Sequence, residues 1–332
     1  MTQNNHTSSL ELNKILERLS GLCGCEASRA AALALAPVQD FDAAQQLMQR
    51  TADADMLSSR YGSPSVTGLS DCGTLLARAS RGARLSPGEL LQIARSLRAI
   101  RTLRDWRRQC ESQPTCLDPL FEALTPNKGL EDDIGDAILS EDEIADRASP
   151  ALADIRRRIV RAGLNIREQL DKMIRSPVYS KFLQEQLVTQ RDGRYVVPVK
   201  AEYKNEVKGL VHDTSGTGAT YFIEPMAVVE ANNEIRELQV KERQEIDRIL
   251  SELSEAAGAF AEPMTDGYES AAELDLYFAK SRLGARMKAT LPALCDDGSI
   301  VLRKARHPLI AGDKIVPVDI SLGGDFDTLV IT

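Results

Sequence analysis

The sequence predicts a mainly α-helical protein: a multi-helical core, two long antiparallel helices, a small inserted β unit and a few C-terminal strands. Three observations carry this reading. Leu152–Met173 and Val228–Phe260 repeat apolar residues every three or four positions. The stretch between them, RDGRYVVPVKAEYKNEVKGLVHDTSGTGATYFIEP from Arg191 to Pro225, is strand-like and rich in Gly and Thr. From Ser299 onward, short β-branched runs replace the helical period.

The first ~148 residues read as short helices. Leu10, Ile15, Leu16 and Leu19 form an apolar stripe that stops at Gly21, and residues 40–60 form a second helix. Ser86-Pro87 supplies an N-cap oxygen and a first-turn residue without an N–H. Beyond it, Leu90, Ile93, Leu97 and Ile100 face inward, leaving Arg95, Arg98, Arg101 and Arg108 outside the stripe as a solvated face or a binding surface.

Ser149-Pro150 repeats the capping signal. Leu152, Ile155, Ile159, Ala162, Ile166, Leu170 and Met173 then form a narrow seam, ~36 Å long at 1.5 Å per residue. Ser176-Pro177 interrupts it, and a short amphipathic piece with Val178, Phe182 and Leu187 follows. Asp192-Gly193 signals a tight turn before a strand at residues 194–199, with further strands at 207–212 and 219–223. After Glu224-Pro225 a second long helix carries Val228, Ile235, Leu238, Ile246, Ile249, Leu253, Ala256 and Phe260, interrupted by Asn232 and Asn233. Long helices enclosing ~50 residues should pair antiparallel. Pro263 is expected to end or kink the second helix, with another at residues 274–291. Residues 299–303, 315–320 and 328–332 read as strands; the last reads as buried, so the chain is expected to be a fragment or a truncation.

The chain has 332 residues, 43% of them apolar and 27% charged, enough for two or three domains of a soluble protein. No apolar run reaches the ~18 residues of a membrane helix, and the N-terminus lacks a signal-peptide pattern, so a cytoplasmic location is expected. The net charge of −8 argues against indiscriminate nucleic-acid binding. It is nonetheless unevenly spread: Arg78–Arg108 and Pro150–Arg175 are basic, whereas Glu131–Asp146 is acidic. The six cysteines match no zinc-type spacing and read as reduced thiols, so no metal site is expected.

No catalytic constellation accompanies His6, His212 and His307, and Gly216-Thr217-Gly218 lacks the Gly-Lys-Ser/Thr ending of a phosphate loop. In the β unit, Arg191, Arg194, Lys200, Lys204 and Lys208 are candidate phosphate contacts, or simply a solvated surface. Asp192, Glu202, Glu206, Asp213 and Glu224 balance them, which leaves the tip neutral. A neutral tip closes around a polyanion more than it adheres to it.

The order of helical core, long helix, Arg191–Pro225 stretch, returning helix, RKARHPLI and VPVDISL resembles the MutS superfamily, specifically its second bacterial branch. Asp146–Pro150 and Arg306-His307-Pro308 also carry the resemblance, which covers the chain from about Leu10. It implies a core domain at 1–148 and 263–298, lever helices at 149–187 and 225–262, a β clamp at 188–224, and the first strands of a truncated α/β ATPase domain at 299–332. It implies that His307, Ile315 and Val316 lie near a nucleotide base. The chain lacks the phosphate-binding Gly-Lys-Ser/Thr, the magnesium carboxylate and the Smr nuclease domain of that branch. The fragment itself is therefore expected to have no cofactor and no enzymatic activity. Its full-length parent is implied to be a homodimeric ATPase using ATP and Mg, with an Smr-type endonuclease domain.

The resemblance implies binding to branched or double-stranded DNA, in suppression of homologous recombination, or to rRNA of stalled, collided ribosomes. The alternative is a structural coiled-coil module that binds a protein through its β tip.

Overall fold

A computed structural model describes residues 10–111, 114–310, 315–324, 326 and 328–330. They divide into two compact units. One takes the chain up to Ala83, Glu89–Asp132 and the chain from Glu255; the other takes Arg84–Gly88 and Asp133–Ser254.

The first unit is helical. It contains α1 (Leu12–Ser20), α2 (Glu26–Leu33), α3 (Phe41–Tyr61), α4 (Gly73–Ser80), most of α5 (Pro87–Gln109), α6 (Asp118–Ala123) and the start of α7 (Lys128–Ala137). The long α10 (Ala261–Met287) packs against α1, α2, α3, α4 and α6. Leu57, Ile100, Leu103, Phe121, Leu274 and Phe278 fill the core, and Trp106 meets Phe278 edge-on at 5.5 Å. The helix before Pro263 ends, as expected, since proline has no N–H to bond the Ala259 carbonyl. The preceding helix ends at Ala259, and Pro263 sits in the first turn of α10, where a missing N–H costs nothing.

The arginines of α5 act within this unit. Glu131 is 3% exposed and accepts hydrogen bonds from Arg98 (2.9 Å) and Arg101 (2.8 and 3.0 Å). Arg107 pairs with Asp118 at 2.7 Å, and Arg104 donates to the Leu124 carbonyl. The Arg101 hydrogen bond is the largest influence holding the Glu131 carboxyl below its ordinary range.

In the second unit a small hairpin, β1 (Ile138–Ser140) and β2 (Glu143–Ile144), precedes α8 (Pro150–Ile174). The Ser149 side chain accepts from the Leu152 N–H, with Pro150 in the first turn. Helix α9 (Met226–Ala259), in this unit as far as Ser254, returns antiparallel to α8. Ser149 bonds Glu245 (2.6 Å), Arg156 bonds Glu242 (2.7 Å) and Arg158 bonds Glu234 (3.1 Å), so the partner number falls as the α8 number rises. Near the end of α9 the buried face turns to Leu250, Ser254 and Ala257, leaving Ala256 exposed.

Between α8 and α9 lies a four-stranded antiparallel sheet: β3 (Thr189–Arg191), β4 (Arg194–Lys200), β5 (Gly209–Thr214) and β6 (Thr220–Pro225), in the order β3-β4-β6-β5. The fold is thus mainly α with small antiparallel sheets, as the sequence predicts.

The last strands depart from expectation. β7 (Ile300–Ala305) and β8 (Val318–Leu322) form a two-stranded ribbon. β8 begins after Pro317, which has no N–H to donate, so Ile315 and Val316 lie outside it. Thr328–Val330 form no strand and are exposed: without a pairing partner, their backbone has no ladder to join. Ile331 and Thr332 lie outside the described residues.

Candidate nucleic-acid interface

Asp192 (φ 49°) and Gly193 (φ 72°) join β3 to β4, with Arg191 opposite Arg194. Two left-handed residues in a two-residue loop are the hairpin geometry that Asp-Gly favours. One face of the sheet brings Val197, Val199 and Ile223 against Ile166, Leu170 and Ile174 of α8 and Val228 and Ile235 of α9. This apolar cluster fixes the sheet on the helix pair.

A polar knot adds to it. Glu224 is completely buried. Its carboxylate accepts from Arg194 at 2.8 and 3.1 Å and from Asn232 at 2.8 Å, and lies 2.5 Å from the His212 Nε2. A bulge between Val211 and Asp213 accommodates His212 in β5. Asn232, also fully buried, accepts from the Tyr195 N–H (3.0 Å) and donates to the Tyr195 carbonyl (3.1 Å). The polar interruption of the α9 seam is therefore a clasp on β4. Buried groups with this many partners are satisfied, which is what their burial requires.

The five candidate cations separate into two kinds. Arg194 is engaged by Glu224 and by Asn233 at 2.6 Å, and Arg191 pairs with Asp213 at 3.2 Å while stacking over Phe222 at 4.0 Å. Both arginines hold the sheet together. In contrast, Lys200, Lys204 and Lys208 have no carboxylate within ion-pair distance among the described residues. Lys200 reaches the Lys181 carbonyl (3.4 Å), Lys204 lies 4.5 Å over the Tyr221 ring, and Lys208 is exposed. Lys181, in the turn before the sheet, was not singled out by sequence reasoning. On α8, Arg156 and Arg158 are paired with carboxylates, whereas Arg161, Arg167 and the C-cap residue Arg175 have no such partner among the described residues.

The other candidate group does not assemble. His307 is exposed, its Nδ1 accepting from the Leu309 N–H at 3.3 Å, and Val316 is 78% exposed. With Ile315, they do not line the open cleft of the β7–β8 ribbon, which is bounded by Val301–Lys304 and Asp319–Ser321. Among the described residues, no cluster of His, Cys, Asp or Glu could hold a metal ion, and no helix is long and apolar enough to cross a membrane.

No protein-family model matches the chain. Individual relatives do. The chain is 44% identical over 325 residues to an endonuclease MutS2 of Ruminiclostridium cellulolyticum, 97% of this chain and 41% of that protein. It is 43% identical over 326 residues to the endonuclease MutS2 of Acetivibrio thermocellus, with the same coverage, and 42% identical over 325 residues to that of Clostridium perfringens. The chain is MutS2-like. The resemblance to the second bacterial branch of the MutS superfamily therefore holds along almost its whole length. This MutS2-like chain spans about two fifths of the length of the relatives it matches, 41% in each case.

Proposed function

We propose that residues 188–224 act as a clamp, carried by lever helices at 149–187 and 225–262, that contacts the phosphodiester backbone of a nucleic acid. One observation carries this reading: Lys200, Lys204 and Lys208 have no carboxylate partner among the described residues, while the arginines beside them do. Cations left free beside neutralised ones are available to phosphates, and backbone contacts position without reading sequence. The likeness to MutS2 proteins supports nucleic acid as the partner class. In this proposal branched DNA and rRNA of stalled ribosomes are the two targets. ATP and magnesium use, homodimer formation and the nuclease activity in the relatives' name belong to a longer cytoplasmic protein of their size.

The experiment is fluorescence anisotropy of this chain with a four-way DNA junction, a linear duplex and an rRNA fragment, from 50 to 200 mM salt. Three phosphate contacts predict a slope near −2.7 in log K against log salt, or about 40-fold weaker binding over that range. Absence of binding to all three probes at 50 mM salt refutes the reading.

A second reading, a module that binds a protein through its β tip, is favoured by one observation. The edge strand β5 exposes Leu210 and Val211, and the adjacent Met226 is 59% exposed. Unpaired edges with apolar side chains can take another strand. Absence of binding to every nucleic-acid probe at 50 mM salt favours it.

A further inference from the structure

Resting on the nucleic-acid reading above, we propose that Lys181, Lys200 and Lys204 form a phosphate-binding edge, in which aromatic rings place Lys181 and Lys204 and a backbone carbonyl holds Lys200, with no carboxylate on any of them. The edge is assembled by a fold-back that the strand pattern does not reveal. After α8 the chain turns, and Leu183 bridges to Val199; the Lys200 N–H donates to the Phe182 carbonyl at 3.0 Å, and the Gln184 N–H to the Pro198 carbonyl at 2.9 Å. Lys181 therefore lies beside the end of β4, where the Lys200 ammonium is 3.4 Å from its carbonyl oxygen.

Lys204 belongs to the same end of the sheet. Lys200 is opposite Thr220 and Val199 opposite Tyr221, and the Lys204 ammonium lies 4.5 Å above the Tyr221 ring. The Lys181 ammonium lies 5.1 Å over Phe182, whose ring is 5.2 Å from that of Tyr203. A ring thus lies against the lysine of the fold-back and against the lysine of the connection after β4, with Lys200 at the end of β4 between them in sequence.

What places an ammonium decides whether it can take a phosphate. A carboxylate partner orders a lysine but neutralises it, and an incoming phosphate must displace that partner. An aromatic face attracts the cation without cancelling its charge. Among the described residues no carboxylate pairs with Lys181, Lys200 or Lys204, although Glu202 and Glu206 lie on the same connection. Arg191 and Arg194, held by Asp213 and Glu224, are the contrasting case within one sheet. Lysine ammoniums are compact point charges without the planar fork that reads guanine edges, so this edge takes the sugar–phosphate backbone of any sequence.

The test is the salt dependence of duplex binding by the intact chain and by K181A, K200A and K204A, with K241A as the control. Lys241 is an exposed lysine of α9 outside the edge. Each edge variant is expected to flatten the log K against log salt slope by about 0.9, with K241A unchanged. Duplexes of different sequence should give the same slopes. Y221L should weaken binding several-fold and Y221F should restore it, because the ring and not the hydroxyl positions Lys204. Urea midpoints equal to wild type separate these effects from unfolding; if Y221L unfolds, the lysine slopes decide. Salt-dependent binding by wild type with unaltered slopes in K181A, K200A and K204A, or an equal change in K241A, overturns the phosphate edge while leaving the nucleic-acid reading intact. No binding by wild type overturns both.

Discussion

Arg194 holds the buried carboxylate of Glu224 through one guanidinium nitrogen, at 2.8 and 3.1 Å from its two oxygens, and reaches Asn233 with another. This ties β4 to β6 and to the first turns of α9. Removing the arginine leaves a fully buried carboxylate with only His212 and Asn232 as partners. Arg194→Ala is therefore expected to destabilise the sheet by about 3 kcal/mol, because an uncompensated buried charge is costly. Lys208→Ala, at an exposed position, is expected to change stability by less than about 0.5 kcal/mol. Urea unfolding followed by the signals of Tyr195 and Tyr221 compares them; equal midpoints would show that the pair is not structural.

Ser149 serves both long helices. It caps α8 through the Leu152 N–H at 2.9 Å and donates to Glu245 of α9 at 2.6 Å. Hydrogen bonds from Arg248 first, and then from Ser149, pull the Glu245 carboxyl down to about 2. A depressed folded-state value means that the stabilisation is present above the unfolded value near 4.5 and is lost as pH falls towards 2. Ser149→Ala should cost about 1 kcal/mol at neutral pH and move the Glu245 titration upward, as read by carboxyl NMR.

Glu131 makes the first unit acid-sensitive. Arg101 and Arg98 hold its carboxyl below the ordinary value, so their contribution is complete above an unfolded value of 4.5 and disappears as pH drops through the lower folded one. Glu131→Gln should remove about 1–2 kcal/mol at pH 7, a figure reduced because Arg98 is 70% exposed. It should also flatten the dependence of the unfolding midpoint on pH below about 4.5. A variant with the wild-type pH profile would remove Glu131 from this role.

These predictions also show where local pattern suffices. The Asp192-Gly193 turn and the Ser149-Pro150 cap are legible because each depends on backbone geometry within four residues. The α8 seam is legible because its period is a property of one helix. The partners of Arg194 and Lys200 are not: Glu224 lies 30 positions away, and the Lys181 carbonyl 19 away across a fold-back. Charge spacing alone makes Arg194 and Lys204 look alike, and only the tertiary pairing separates a structural cation from a free one. Asn232 reads as a flaw in an apolar seam until the backbone of Tyr195 supplies its partners. Pro263 is legible as well: it has no N–H for the Ala259 carbonyl, where one helix ends, and it sits in the first turn of the next.

Two glycines of the sheet differ in what they protect. Gly193 adopts φ 72° with open space around it, so Gly193→Ala costs only backbone strain, about 1 kcal/mol. Gly209 has no such φ, but a Cβ added there would lie 2.2 Å from the Glu224 carbonyl oxygen and 2.9 Å from its carbon. Both atoms belong to the backbone of β6, so relief requires the strands to separate at the Gly209–Pro225 pair. Separation would draw His212 away from Glu224 and loosen the knot from the β5 side. Gly209→Ala is expected to cost about 2–3 kcal/mol, in the range of overpacked sites. Amide hydrogen exchange should show faster exchange across β5 and β6, with α8 unchanged. Protection equal to wild type in β5 would show that the strands absorb the methyl group without parting.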